Sequence, residues 1–442
     1  MNKPEVMPEN LPFYLKDNFA PTFEEVTATE LKVTGEIPRA LNGRMLRNGP
    51  NPQTGWSSHW FLGDGMIHGV ELEDGKANWY RNRYVRTPLF ADSGADPIEA
   101  IMDLQKSAAN THIIHHAGKI LALEEAHLPF ALTPELETEG PWDFAGKLNT
   151  PMTAHPKTCP ETGELLFFGY GIFPPYLTYH RVSASGELVQ SEEITVPGAT
   201  MIHDFNITRN YVIWMDLPAV WDVENMADSG LPIKWDPSYG ARLGVMPREG
   251  CDADVVWYEI DPCYVFHPLN AYEEGNQIVI DVCRKANVMA ARVESPAMLY
   301  RWVIDQDKGT VTETQLDDRS TEFPRLNDSL VGLKHRYGYV AGLSDVGPLA
   351  ERYIKFDLAN DSSQVFELGA GREGSEAVFV ADPDGSAEDD GWLLSYVFDK
   401  AAGTSELVIM DAADLSRGAL ATVHLPARVP MGFHGSWIPE NY

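Results

Sequence analysis

Residues 265–282 read VFHPLNAYEEGNQIVIDV. A strand-like run carrying His267 ends at Glu274-Gly275, and a second run, rich in Val and Ile, follows at once. Two such runs joined by a glycine-containing turn predict a β-hairpin. The same design recurs outward along the chain. HIIHH and KILAL flank Ala117-Gly118, YVIW follows Arg209-Asn210, and WLLSYV follows Asp390-Gly391; further turn candidates fall at Asp74-Gly75, Thr162-Gly163 and Tyr337-Gly338. Seven hairpins roughly 40 to 65 residues apart match the period of propeller blades, which are four-stranded sheets set around a central channel. The fold class predicted is therefore all-β, a seven-bladed β-propeller, with residues 1–442 as a single domain and residues 1–30 as an arm on its outside. A sandwich with long loops is the rival architecture. The best helix candidates are Pro97–Ala108 and the stretch Asp222–Gly230.

The hairpin phase picks out histidines. His155 lies seven residues before Thr162, His203 seven before Asn210 and His267 seven before Glu274. Equivalent strand positions in a propeller face the same axis, so three imidazoles distant in sequence would converge. His434, in GFHGS near the C-terminus, would come from the closing blade. A lone histidine among the 13 in this chain is more often a satisfied core residue than a ligand; the shared phase is what changes the weighting. Neutral imidazole is the commonest donor to a catalytic metal, and four of them without cysteine suit iron, zinc or copper. His112, His115 and His116 share one strand and read as members of a hairpin, and His59 and His68 read as structural. Metal-bound histidines usually pass their other ring N–H to a carboxylate or carbonyl. Glu125, Glu322 and Glu376 lie in otherwise apolar runs, where a carboxylate is costly unless it accepts hydrogen bonds.

Composition narrows the partners. The chain has 442 residues, 44% of them hydrophobic, with 11 Trp, 17 Tyr and 18 Phe, enough for a large core. Its formal charge of -31 repels nucleic acid phosphates and anionic lipid broadly. The four cysteines show no CxxC spacing, which argues against a thiolate metal site and fits a reducing compartment. With no basic-then-apolar leader and no long apolar span, the reading is cytoplasmic. GAGREG (Gly369–Gly374) fits a dinucleotide-binding pattern, but a strand follows it and not a helix, so the phosphate-binding context is missing. Serine hydrolase and nucleotide hydrolase motifs are lacking as well.

LNGRMLRNGPNP, HWFLGDGMIHG, NTHIIHHAGKILALEEAHLPF, TAHPK, HDF, FHPLNAYEE, EFPRLN, EAVFV and RVPMGFHGSWIP occur in this order. Together they make the chain resemble the carotenoid cleavage oxygenase family over nearly its whole length. The resemblance implies a propeller capped by loops and short helices that form an apolar tunnel over a central Fe(2+). His155, His203, His267 and His434 would hold that ion. Glu125 would support His203, Glu322 would support His267, Glu376 would support His434, and His155 would have no such glutamate. Thr111 would sit beside an open position on the iron. The implied reaction is dioxygenase cleavage of a C=C bond: O2 and an electron-rich alkene meet, and two carbonyl products share both oxygen atoms without an external reductant. Trp60, Phe61, Phe266 and Phe433 are candidate aromatic walls that would steady positive charge on a conjugated chain.

Glu124 stands where lignostilbene-cleaving relatives carry a lysine that engages the substrate phenol. A carboxylate would not stabilise a phenolate, which puts carotenoids or apocarotenoids ahead of stilbenoids or other phenylpropanoid alkenes. Competing classes are a non-catalytic binding propeller and a zinc hydrolase. The partners expected are O2 and a lipophilic or aromatic alkene, with peripheral bilayer contact left open through an apolar patch at the tunnel mouth; the oligomeric state is not readable from the sequence.

Overall fold

A computed structural model describes residues 10–92, 97–222, 231–288, 295–344 and 348–440. The chain forms two compact units: Thr150–Gly338, and Met1–Asn149 together with Tyr339–Tyr442. Strand dominates both. Among the described residues, four sheets have four strands each, and a five-stranded and a ten-stranded sheet hold three further four-strand meanders, giving seven antiparallel blades. Numbered by their first strands, blades one to seven begin with His112–His116, Lys157–Thr158, Phe205–Ile207, Tyr264–Glu274, Thr321–Arg325, Val378–Ala381 and Gly435–Pro439. Blade seven mixes the two chain ends. Its C-terminal strand pairs antiparallel with Gly43–Pro50, and Gly65–Glu73 and Lys76–Tyr84 complete it. This is the closure that a propeller uses to remove a free sheet edge.

The arm expected at residues 1–30 lies outside the described residues up to residue 9. Beyond it, Thr27–Ala28 adds to the outer strand of blade seven, and Lys32–Gly35 adds to the outer strand of blade six. Both cover edges that would otherwise expose unpaired peptide groups.

Each unit has its own core. In Thr150–Gly338, Phe168, Phe205, Trp214, Ile280 and Trp302 are packed between blades, and the rings of Phe205 and Trp214 stack with centroids 5.5 Å apart. In the other unit Met45, Tyr80, Leu394, Tyr396 and Leu407 form one cluster, and Leu46, Ile67, Ile113, Phe130 and Ile438 form another. Each such side chain, fully buried, contributes about 1.5–3 kcal/mol.

Five of the expected turns join paired strands: Asp74-Gly75, Ala117-Gly118, Thr162-Gly163, Arg209-Asn210 and Glu274-Gly275. Ala117 and Gly118 have φ of 47° and 72°, the two left-handed residues of a tight hairpin turn that follows strand twist.

The other two turn expectations are corrected. Tyr337-Gly338 opens the strand Tyr337–Leu343, which the chain reaches from Thr321–Arg325 through a 3-10 turn at Asp328–Leu330. Asp390-Gly391 ends a longer loop, in which the Asp390 carboxylate accepts from the peptide N–H groups of Ser386 and Ala387 at 2.8 Å. A turn-forming dipeptide marks where the backbone bends but does not distinguish the centre of a hairpin from the rim of a loop. The helix expected over Pro97–Ala108 stops at Met102, where the Asp103 side chain takes the Gln105 N–H (3.1 Å) into a turn. The second helix candidate lies outside the described residues beyond Asp222. Among the described residues, no helix is long and apolar enough to cross a membrane.

Candidate metal centre

The candidate residues share one structural address. Thr111 immediately precedes blade one, His155 and His203 lie two residues before blades two and three, and His267 is the fourth residue of blade four. Glu322 is the second residue of blade five, Glu376 lies two before blade six, and His434 immediately precedes blade seven. The leading ends of the seven blades thus supply four histidines, two glutamates and one threonine.

Within Thr150–Gly338, three imidazoles meet. Ring centroids are 4.5 Å apart for His155 and His203, 5.1 Å for His155 and His267, and 5.0 Å for His203 and His267. The Nε2 atoms of His203 and His267 face each other at 3.2 Å. Pro268 explains how His267 is aimed. Without an N–H it cannot join the ladder, and the register with Gln277–Lys285 shifts between Val265 and Pro268 and again before Asn270. His267 Nδ1 donates to Glu322 Oε2 at 2.5 Å, and the same oxygen accepts the Phe323 N–H at 2.6 Å. Phe323 has φ of +52°, a costly conformation for a bulky residue, and its ring stacks on His267 with centroids 5.4 Å apart. With Nδ1–H spent on Glu322, neutral His267 presents a lone pair at Nε2. Phe266 lies beside this group, its ring 5.1 Å from that of His203.

The other unit presents His434. Its Nδ1 lies 3.1 Å from Glu376 Oε1, and Glu376 Oε2 accepts the Gly435 N–H at 2.9 Å. Arg47 is buried nearby and supports the Glu376 charge; desolvation pushes its guanidinium down to about 10 while Glu376 pulls it up. Two glycines let the His434 segment come this close. A Cβ on Gly432 would sit 2.7 Å from the Gly49 Cα, and one on Gly435 would sit 2.5 Å from the Leu46 carbonyl oxygen. The Thr111 carbonyl accepts the His434 N–H at 3.1 Å. The Thr111 hydroxyl donates to Asn110 Oδ1 at 2.9 Å, and the Asn110 amide in turn donates to the carbonyls of Phe61 and Gly63. That chain of bonds ties Thr111 to the 3-10 turn Trp60–Leu62. Trp60 and Phe61 pack against Phe433, with ring centroids 4.8 and 5.5 Å away.

Within Thr150–Gly338, one ring nitrogen from each of His155, His203 and His267 lies within 4.8 Å of the others, a group able to bind a metal ion. The donor set fits a divalent transition metal. It offers imidazole nitrogens, and the His267 ring has its far nitrogen fixed by a carboxylate, which sets the tautomer.

Glu124 is engaged elsewhere. It pairs with His127 Nδ1, while His127 Nε2 bonds the Ala100 carbonyl oxygen at 2.8 Å. Burial works to raise the Glu124 carboxyl, yet His127 holds it below its ordinary value; His127 is in turn held above its own against the same desolvation. Glu125 is half-buried just past the second strand of blade one. His68 is a core residue bonded to Tyr80 at 3.0 Å, and burial beside Arg47 and Arg428 pushes it down to about 3.

Three neighbours of the site went unread in the sequence. Asp204 stands 3.7 Å from His155 Nδ1, Arg47 lies behind Glu376, and Phe323 stacks on His267.

The family model for retinal pigment epithelial membrane protein matches residues 19–439. A carotenoid cleavage oxygenase from Mycobacterium tuberculosis is 40% identical over 97% of this chain and 98% of its own. The chain belongs to the carotenoid cleavage oxygenase family. Solved structures agree. A lignostilbene dioxygenase from Pseudomonas brassicacearum matches with a TM-score of 0.87 at 27% identity, over 98% of this chain and 100% of that one. A cobalt-substituted apocarotenoid oxygenase from Synechocystis matches with a TM-score of 0.84 at 27% identity, over 95% of this chain and 97% of that one. The fold is the all-β propeller of this oxygenase family, and the reaction class is that of an oxidoreductase using O2.

Proposed function

We propose that this chain cleaves a C=C double bond of a carotenoid or apocarotenoid with O2, giving two carbonyl products. The observation that carries the reading is the set of three imidazole nitrogens of His155, His203 and His267 within 4.8 Å, with Glu322 on the far side of the His267 ring; in the other unit Glu376 holds His434 in the same manner. His155, His203, His267 and His434 would hold Fe(2+), which supplies when bound the one-electron chemistry that O2 needs to react with an alkene. Glu322 and Glu376 keep Nδ1 protonated on His267 and His434, so that both present Nε2 lone pairs. Glu125 takes the same part for His203. Thr111 narrows the approach beside His434, its hydroxyl held by Asn110. Trp60, Phe61, Phe266 and Phe433 line the path of the polyene, shed water from it and face developing cationic charge with their rings.

Glu124 supports a polyene over a phenol. It offers a carboxylate already paired with His127, and a carboxylate repels a phenolate. Likeness to the lignostilbene dioxygenase structure favours stilbenoid cleavage as the second reading. The four cysteines are all free, which supports a reducing compartment such as the cytoplasm.

The test is turnover of an apocarotenal and a hydroxystilbene by iron-loaded protein under 18O2, with product masses. Expected are two carbonyl products from the apocarotenal, label in both, and little from the stilbene. Label from water alone would remove the mechanism, and the reverse preference would exchange the two substrates.

A further inference from the structure

His267 and His434 each have a glutamate on Nδ1, and sequence comparison offers none for His155. The structure puts a different carboxylate there. Asp204 directly follows His203 and is almost fully buried, and its Oδ2 lies 3.7 Å from His155 Nδ1. Its Oδ1 accepts from Lys157 Nζ at 2.7 Å and from the Phe205 N–H at 2.7 Å. Lys157 stands two residues after His155, at the start of blade two. One short carboxylate is thus fixed on one side by the leading ends of blades two and three, and its free edge faces the His155 ring.

We propose that Asp204, braced by Lys157, is the positioning residue for His155. The inference rests on the metal-centre reading above. A buried carboxylate near Nδ1 favours the tautomer with the proton on that nitrogen and leaves the Nε2 lone pair for a metal. Alone, such a carboxylate would be costly to bury; the Lys157 ammonium at 2.7 Å offsets part of that cost. The contact at 3.7 Å is longer than the 2.5 Å and 3.1 Å contacts at His267 and His434. Metal binding would draw the His155 Nδ1–H toward Asp204.

Co(2+) titrated into metal-free protein tests this, since its ligand-field absorption reads geometry as well as affinity. In Asp204→Asn the dissociation constant should rise about 10- to 100-fold, with the absorption bands shifted at saturation. Lys157→Met should move both in the same direction by less, and Lys157→Arg should restore them. On a His155→Ala background, Asp204→Asn should change affinity by less than about twofold, because its ring is gone. A purely structural ion pair would lower the melting temperature of metal-free protein yet leave the saturated spectrum of wild type. That outcome, or equal loss of affinity with and without His155, overturns the proposal while leaving the metal centre standing. Failure of wild-type protein to bind Co(2+) removes both.

Discussion

The His267 and His434 corners do the same work by different means. At His267 the carboxylate is close, at 2.5 Å, and is held by backbone under strain: Phe323 sits at positive φ so that its N–H reaches Glu322 and its ring covers the imidazole. At His434 the contact is 3.1 Å and glycine lets the backbone approach closely, while Arg47 is buried near Glu376. A buried carboxylate is costly unless it is hydrogen-bonded or faces a cation. One corner meets that need with tight geometry, the other with a countercharge. The first should therefore fail through shape and the second through electrostatics.

The largest effect expected is at Arg47. Arg47→Met removes the buried cation whose field favours the Glu376 carboxylate, and a buried charge left uncompensated costs about 3–5 kcal/mol; urea unfolding would show it. A loss under about 1 kcal/mol would mean that Glu376 is stabilised by its hydrogen bonds alone. Backbone swaps come next. Gly435→Ala drives a Cβ into the Leu46 carbonyl and should cost about 1–3 kcal/mol in the same assay. Phe323→Gly releases about 1–3 kcal/mol of strain, and should cost less than the ~3–5 kcal/mol usual for removing a buried Phe ring. Smaller again is the glutamine comparison. Glu322→Gln and Glu376→Gln should each weaken Co(2+) binding about 10- to 100-fold, with Glu322→Gln the worse because its contact is shorter. A larger loss from Glu376→Gln in the titration would reverse the ranking of the two corners.

How far this site could be read in advance followed from the range of each interaction. The seven-residue step from histidine to turn is local, so it survives in blades two, three and four, where Thr162, Asn210 and Glu274 do lie between paired strands. The hairpin expectations at Tyr337-Gly338 and Asp390-Gly391 broke down in blades five and six because the connection is a 3-10 turn in one case and a loop capped by Asp390 in the other. Glutamates in apolar runs pointed to buried acceptors, and Glu322 and Glu376 are such acceptors. Asp204 escaped because HDF reads as one histidine with a polar neighbour; its contact with His155 depends on how two blades align. Phe323 carried no signal, since nothing in EFPRLN announces a left-handed backbone.

A third histidine–glutamate pair marks what separates a ligand from a brace. His127 and Glu124 pair through Nδ1 just as His267 and His434 pair with their glutamates, but His127 Nε2 is spent on the Ala100 carbonyl. A ring facing acceptors on both nitrogens is best satisfied as the doubly protonated cation. It has no lone pair to give a metal. The raised His127 value and the lowered Glu124 value agree with that state. The sign of the pH effect follows. The Glu124 contribution is complete above its ordinary 4.5 and is lost as pH falls through its lowered folded value. The His127 contribution is complete below its ordinary 6.5 and is lost as pH rises through its raised folded value. The stability gap between wild type and His127→Gln should therefore be widest between pH 4.5 and 6.5 and narrow on both sides, by urea unfolding of metal-free protein. A gap that instead grew steadily with pH would mean that His127 folds as a neutral ring, and the distinction drawn from its second nitrogen would fail.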